Sequence, residues 1–363
     1  MKKINVLMIA MMAVLSVVSF TACSDDDDDK VSNMQRYQNE VDKTVSQQKK
    51  HDKAILLVAF GSTWQQAYDA FDLTRSEYEK AFPGYDVFLS FSSAICINRA
   101  AAGENTAKRS FYEPKYWLEA FGRVKYSEII VQSMQVIPGE EYGRVVNAMK
   151  DFANNSNGDL DDDYLAKMTL KLGEPLMARV NDVTALAKVL DTNFKSYAAK
   201  GAMLFMGHGN PDKQDTYKAN VRYTQLEEAM QAINQNYFVG TVDMMDNFKV
   251  QVQERMAEKG ITSGNVYCAP LMSIAGDHAH NDMAGDDDAW DNGFEVNEEG
   301  EVEDTSWKNY FFHMGYDIDA ESYTDNKGIV KGLLEYSNVR QLYMAHTQRA
   351  EVQDFYHSMY PEE

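Results

Sequence analysis

The sequence predicts an α/β protein of two doubly wound parallel-sheet, Rossmann-like domains facing a central cleft. Three observations predict it. Short apolar runs of strand length end at or near a glycine, as buried parallel strands do. Longer amphipathic stretches alternate with them, the pattern of βαβ units. The alternation restarts after Gly173, so the two halves look alike.

The first strand is Lys53–Gly61, seven of its nine residues apolar. Trp64, Tyr68, Phe71 and Tyr78 share one broad face of a helix over 64–81. Pro83-Gly84 turns the chain into an alternating strand, Tyr85–Phe91. A helix over 114–122 precedes the strand Glu128–Ser133, and Pro138-Gly139-Glu140-Glu141-Tyr142 opens the next helix. Met168–Gly173 closes this half. In the second half, helices over 181–198, 222–235 and 247–259 precede strands over 201–206, 237–242 and 265–271. Residues 284–306, rich in Asp, Glu, Gly and Asn, read as an exposed loop or insertion with room for a short hairpin. The domains are therefore expected over 53–175 and 176–363.

A chain of 363 residues can bury two cores. Its formal net charge of -21 and pI of about 4.7 exclude a nucleic-acid surface, which needs clustered Lys and Arg. They leave an anionic small molecule open, and an acidic field raises the local concentration of metal cations. Neither GxGxxG nor GxxxxGK occurs, so no nucleotide is expected. The cysteines are Cys23, Cys96 and Cys268, without a CxxC pair, which argues against a cysteine zinc site. Cys96 and Cys268 sit among apolar residues and read as buried thiols.

The N-terminus reads as an address. Lys2 and Lys3 precede an apolar stretch over 4–20, and Thr21-Ala22 precede Cys23, a secretory signal over 1–22. A cysteine directly after a small residue resembles a bacterial lipoprotein signal, although Phe20 stands where leucine is usual. That resemblance implies lipidation of Cys23, export, and membrane attachment through the lipid, at the periplasmic face or the cell surface. Ser24 and the run Asp25–Asp29 form a solvated acidic tether, similar to the tract of some Gram-negative surface lipoproteins. Residues 30–52 are polar, a linker or a short helix, so 23–52 is expected to be tether.

Two histidines each follow an apolar strand-like run: His208 in Leu204-Phe205-Met206-Gly207-His208-Gly209, and His278 after Ala269–Gly276 and Asp277. Asp243 follows a third run, Tyr237–Val242. Ligands of open α/β sheets bind where strands end. Two imidazoles and a carboxylate converging there suit a divalent transition metal. His280 could add a contact on an extended segment, or lie on the surface. Asp277 and Asp282 could orient an imidazole or satisfy loop backbone. The Gly61-Ser62-Thr63 turn offers N–H groups that can hold carboxylates or phosphates. Arg99 and Arg109 could pair with substrate carboxylates or be ordinary surface charges.

These residues resemble the anaerobic sirohydrochlorin cobaltochelatases of the larger, two-domain type, which are related in fold to ferrochelatase. The matching segments, in order, are Leu56–Thr63, Val131-Gln132-Ser133, Gly139–Tyr142, Leu172–Leu176, Met206–Gly209, Val239–Asp243, Pro270–Ala279 and Asn281–Ala284. Ser306-Trp307-Lys308 and Met344-Ala345-His346 also look similar. The resemblance implies metal ligation by His208, Asp243 and His278, with His208 as general base, and a macrocycle cleft lined by Gly61, Ser62 and Thr63. The family usually has glutamate at the position of Asp243, which is one methylene shorter. The implied reaction inserts Co2+, with Fe2+ or Ni2+ as alternatives, into sirohydrochlorin or a related tetrapyrrole, and needs no nucleotide. An exported relative could instead bind haem, another tetrapyrrole or a metal during uptake, with little turnover. A homo-oligomer is left open.

Overall fold

The computed structural model describes residues 32–244, 246–285, 305–318 and 330–352. The signal segment expected over 1–22, Cys23, the acidic run and most of the loop expected over 284–306 lie outside the described residues.

The chain runs α1 (Asn33–Gln48), β1 (Lys53–Ala59), α2 (Gln65–Ala81), β2 (Asp86–Phe91), α3 (Ala94–Ala102), α4 (Pro114–Arg123), β3 (Glu128–Ser133), α5 (Glu140–Ala153), α6 (Asp162–Leu165) and β4 (Thr169–Gly173). It continues through α7 (Val180–Ala198), β5 (Ala202–Gly207), α8 (Val221–Gln231), β6 (Tyr237–Thr241), α9 (Lys249–Glu258) and β7 (Gly264–Leu271). A π-helix (His278–Ala284), α10 (Trp307–His313), β8 (Tyr316–Ile318), α11 (Ser337–Gln348) and β9 (Glu351–Val352) complete it.

Both sheets have the same plan. The first runs β2-β1-β3-β4-β9 and the second β6-β5-β7-β8. All pairings are parallel except β4 with β9. In each sheet the chain goes from a central strand to one side, then to the other, which creates a switch point at β1/β3 and at β5/β7. In open sheets of this kind ligands bind outside the carboxyl ends of the strands at such a point.

Three cores follow from strand alternation. Ile55, Leu57 and Ala59 of β1 and Met203 and Phe205 of β5 point into one shared layer filled by α2, α7, α8 and α11. Ala54, Leu56 and Val58 pack outward against α1, α4 and α5. Ala202, Leu204 and Met206 pack against α9, α10 and the π-helix. Because both faces of β1 and β5 are buried, these strands are apolar almost throughout. Among the described residues, no helix is long and apolar enough to cross a membrane.

Two expected boundaries are corrected. The tether expected over 23–52 ends earlier, because Ser32 caps α1 by accepting a hydrogen bond from the Gln35 N–H at 3.2 Å. Val41 and Val45 of that helix are fully buried, and Gln38 donates to the Tyr116 carbonyl of α4 at 3.0 Å. Only two aliphatic residues meet the core here, too sparse a stripe to stand out in a polar segment. The second domain likewise does not hold all of 176–363. α11 returns to pack on α2, β3 and β4, and β9 pairs with β4 through Lys171 with Val352 and Leu172 with Glu351.

Candidate active site

The switch point of the second sheet carries both histidines. His208 is the first residue past β5. Gly209 beside it adopts φ +80°, and a Cβ there would lie 2.8 Å from Cγ of Met244. That left-handed turn folds the chain back under the imidazole, where the Gly209 N–H donates to the Tyr223 hydroxyl at 3.2 Å. The end of β6 closes on the same loop: the N–H of Asp243 donates to the His208 carbonyl at 2.9 Å. His278 opens the π-helix that follows β7. Such helices recur at functional sites because the wide turn re-aims side chains.

The two imidazoles meet edge to face, with centroids 4.7 Å apart and planes at 86°. Each has a partner at Nδ1. His208 Nδ1 lies 2.8 Å from the Gly209 carbonyl and 3.2 Å from Oδ2 of Asp243. His278 Nδ1 bonds the Asp282 carboxylate. Partners of this kind hold the proton on Nδ1 and leave Nε2 as the lone-pair donor. Burial alone would lower the His278 pKa. The hydrogen bond that His278 donates to Asp282 and the charges of Asp282, Asp243 and Asp277 outweigh it and raise the pKa above the ordinary imidazole value.

The expected convergence is thus met in pairs. Among the described residues, no three His, Cys, Asp or Glu side chains stand ready as a metal cluster. Asp243, short by one methylene, contacts His208 rather than completing a triangle. Of the two aspartates near His278, Asp282 orients the imidazole, whereas Asp277 faces the first domain: it accepts from Nε1 of Trp64 at 2.6 Å. His280 stacks on the Trp64 indole with centroids 3.9 Å apart.

The first domain supplies the other wall. Gly61, Ser62 and Thr63 follow β1, beside the His278 loop: a Cβ on Gly276 would lie 3.7 Å from Oγ of Ser62. Both hydroxyls are buried and engaged. Ser62 accepts from the Trp64 N–H at 3.2 Å, and Thr63 from Asn105 at 3.0 Å, so the turn shapes the cleft through its backbone. Arg99, on α3, lies 3.5 Å from Glu104 and 3.6 Å from Asp277, half exposed at the cleft. Arg109 is held elsewhere, bidentate to Asp72 at 2.9 and 3.0 Å.

Glu141 carries more than the sequence reading gave it. It stands in the first turn of α5, just past the β1/β3 switch point. Gly139 before it meets the loop after β5 so closely that a Cβ would lie 2.5 Å from the Asn210 side chain. Glu141 accepts from the Ser92 hydroxyl at 2.7 Å. Burial pushes its carboxyl above the usual range; Ser92, Arg144 and the facing His208 only partly offset this. The Pro-Gly-Glu-Glu helix start was the available signal, but nothing in it distinguishes a dipole-facing surface acid from one turned into a cleft.

Asp282 offers a direct check. On the expectation that His278 is a metal ligand, replacing Asp282 with asparagine should weaken Co2+ binding at neutral pH by about tenfold. It should also move the acid limb of the binding curve to lower pH, because a raised His278 pKa lets protons compete sooner. Co2+ titrations across about pH 5 to 8 read both effects; an unmoved acid limb would dismiss the Asp282–His278 coupling.

The sequence model of the cobalt chelatase (CbiK) family matches residues 53–351. The sirohydrochlorin cobaltochelatase of Salmonella typhimurium is 28% identical over 241 residues, covering 66% of this chain and 83% of that protein. The sirohydrochlorin cobaltochelatase CbiKC of Nitratidesulfovibrio vulgaris is 31% identical over 244 residues, covering 66% and 78%. Among solved structures, SirB from Bacillus subtilis with Fe3+ aligns at a TM-score of 0.47 and 9% identity over 82% of this chain and 94% of that one. A match spanning both sheets and both walls of the cleft places the chain in the cobalt chelatase (CbiK) family.

Proposed function

We propose that this chain inserts Co2+ into sirohydrochlorin at the cleft between the two sheets. The observation that carries this reading is the facing pair His208 and His278 at the β5/β7 switch point, 4.7 Å apart. Their Nε2 atoms hold the incoming Co2+. Asp243 adds charge beside His208, and Asp277 and Asp282 beside His278, which favours a divalent cation. A two-imidazole grip is weak enough to surrender the metal to four ring nitrogens. Two N–H bonds of the macrocycle break as the Co–N bonds form. One proton goes to Nε2 of His208 once the metal has left it. The other goes to Glu141, which faces His208 and whose burial raises its carboxyl pKa and so its proton affinity. Nothing in an imidazole–carboxylate set excludes Fe2+ or Ni2+ as alternative metals.

The test uses the full chain in detergent, mixed anaerobically with sirohydrochlorin and Co2+ and followed in the visible spectrum. A protein-dependent shift to the cobalt complex supports the enzyme. A bound but unchanged macrocycle spectrum would replace it with a tetrapyrrole-binding protein of an uptake system.

The same proposal places the enzyme outside the cytoplasm, anchored through lipid on Cys23. The basic start, the apolar stretch over 4–20 and Thr21-Ala22-Cys23 support it. Cys23→Ala is expected to abolish labelling by a radioactive fatty acid and to release the protein from the membrane fraction. Equal labelling of the variant would remove Cys23 as the anchor.

A further inference from the structure

The loop bearing His278 grows out of the second sheet, yet it is gripped by the first domain on both sides of that histidine. Trp64, at the start of α2, donates its indole N–H to Oδ1 of Asp277 at 2.6 Å. Its ring lies flat on His280, with planes 14° apart. Arg99 approaches Oδ2 of the same aspartate at 3.6 Å. Asp277 precedes His278 by one residue and His280 follows it by two, so one indole fixes the backbone before and after the imidazole. His208 is held by its own domain, through Asp243 and through the bond of the adjoining Gly209 N–H to Tyr223.

We propose that Trp64 is a positioning residue that, through Asp277, sets His278 against His208 when the two domains are closed. This rests on the reading that His278 holds Co2+. The distance between the two imidazoles then depends on the contact between domains, and opening that contact separates the pair. Asp277 adjoins His278 in the chain, so loss of the Trp64–Asp277 hydrogen bond is felt at His278 first.

The test compares Trp64→Phe, which keeps an aromatic ring on His280 and deletes the indole N–H, with Asp277→Ala, Asp277→Asn and the Trp64→Phe/Asp277→Ala pair. Co2+ binding is titrated directly, apart from turnover, and KM is measured separately for Co2+ and for sirohydrochlorin. Trp64→Phe and Asp277→Ala are each expected to weaken Co2+ binding and raise its KM by about tenfold, the scale of orienting partners around metal ligands. The sirohydrochlorin KM and the melting temperature should stay near those of the unmutated protein. The double variant should be no worse than Asp277→Ala alone, and Asp277→Asn, which keeps an acceptor for the indole but not the charge, should restore part of the affinity. His278→Ala is run alongside. If it leaves Co2+ binding unchanged, the assignment of His278 fails. If it weakens binding while Trp64→Phe does not, or if the Trp64 and Asp277 effects add in full, the latch alone is overturned.

Discussion

Replacing His208 with alanine is expected to slow cobalt insertion by about 10²- to 10⁴-fold, the range for losing a positioned proton acceptor. Stability should hardly change. The His208 side chain is 48% exposed, and among the described residues its ring bonds the neighbouring Gly209 carbonyl and Asp243. Substitutions of that kind usually stay within about 0.5 kcal/mol. Two functions are removed together, half of the metal grip and the acceptor for a pyrrole proton, so both the KM for Co2+ and kcat should suffer. His278→Ala separates them: it removes a metal ligand but leaves the acceptor in place, so its loss should fall more on the KM. Glu141→Gln should do the reverse, lowering kcat with little change in Co2+ binding. Added imidazole is expected to recover part of the His208→Ala rate, because the vacated space opens to solvent. A folded His208→Ala protein that inserts cobalt at the unmutated rate would reject the proposed role outright.

The fold was legible because its strands are buried on both faces. A run such as Ala54–Ala59 has nowhere to place a charge, so strand, turn and helix announce themselves by polarity alone. Less legible was everything decided by packing between distant parts. α1 shows the core only Val41 and Val45 among its aliphatic residues, and no local period marks the return of α11 and β9 to the first sheet. The site divides in the same way. His208, Asp243 and His278 stand at strand ends in sequence, and His208 meets each of the other two in space. What surrounds them is set by the opposite domain: Glu141 across from His208, and Trp64 beneath Asp277. Trp64 looked like one more aromatic on the face of α2, since a stacking partner 216 positions away leaves no trace in a helical pattern. Arg99 and Arg109 look alike in sequence and differ in their partners, one loosely paired near Asp277 and the other clamped by Asp72.

The largest effect on stability is expected from Glu77→Ala. Arg340 of α11 is only 4% exposed. Its guanidinium donates to both carboxylate oxygens of Glu77 on α2, at 2.6 and 2.8 Å, and to the Leu334 carbonyl at 2.7 Å. This fork joins a helix of the first domain to the segment that returns from the second. Removing Glu77 strands a buried positive charge with one carbonyl for company. Breaking such a pair costs about 3–5 kcal/mol, which for a protein of this size corresponds to a melting temperature lower by roughly 10 °C. Glu77→Leu combined with Arg340→Met should be far milder, because the cost lies in the orphaned charge and not in the absent pair. The pH dependence has a definite sign. The hydrogen bond from Arg340, against the opposing effect of burial, holds the Glu77 carboxyl below its usual pKa. The pair's contribution is therefore complete above the unfolded glutamate pKa of about 4.3 and is lost as the pH falls from there through the lower folded value. Melting curves of the unmutated protein and Glu77→Ala should stand furthest apart near neutral pH and converge in acid. A gap that persists at low pH would mean that the carboxylate is not what holds α11 against α2.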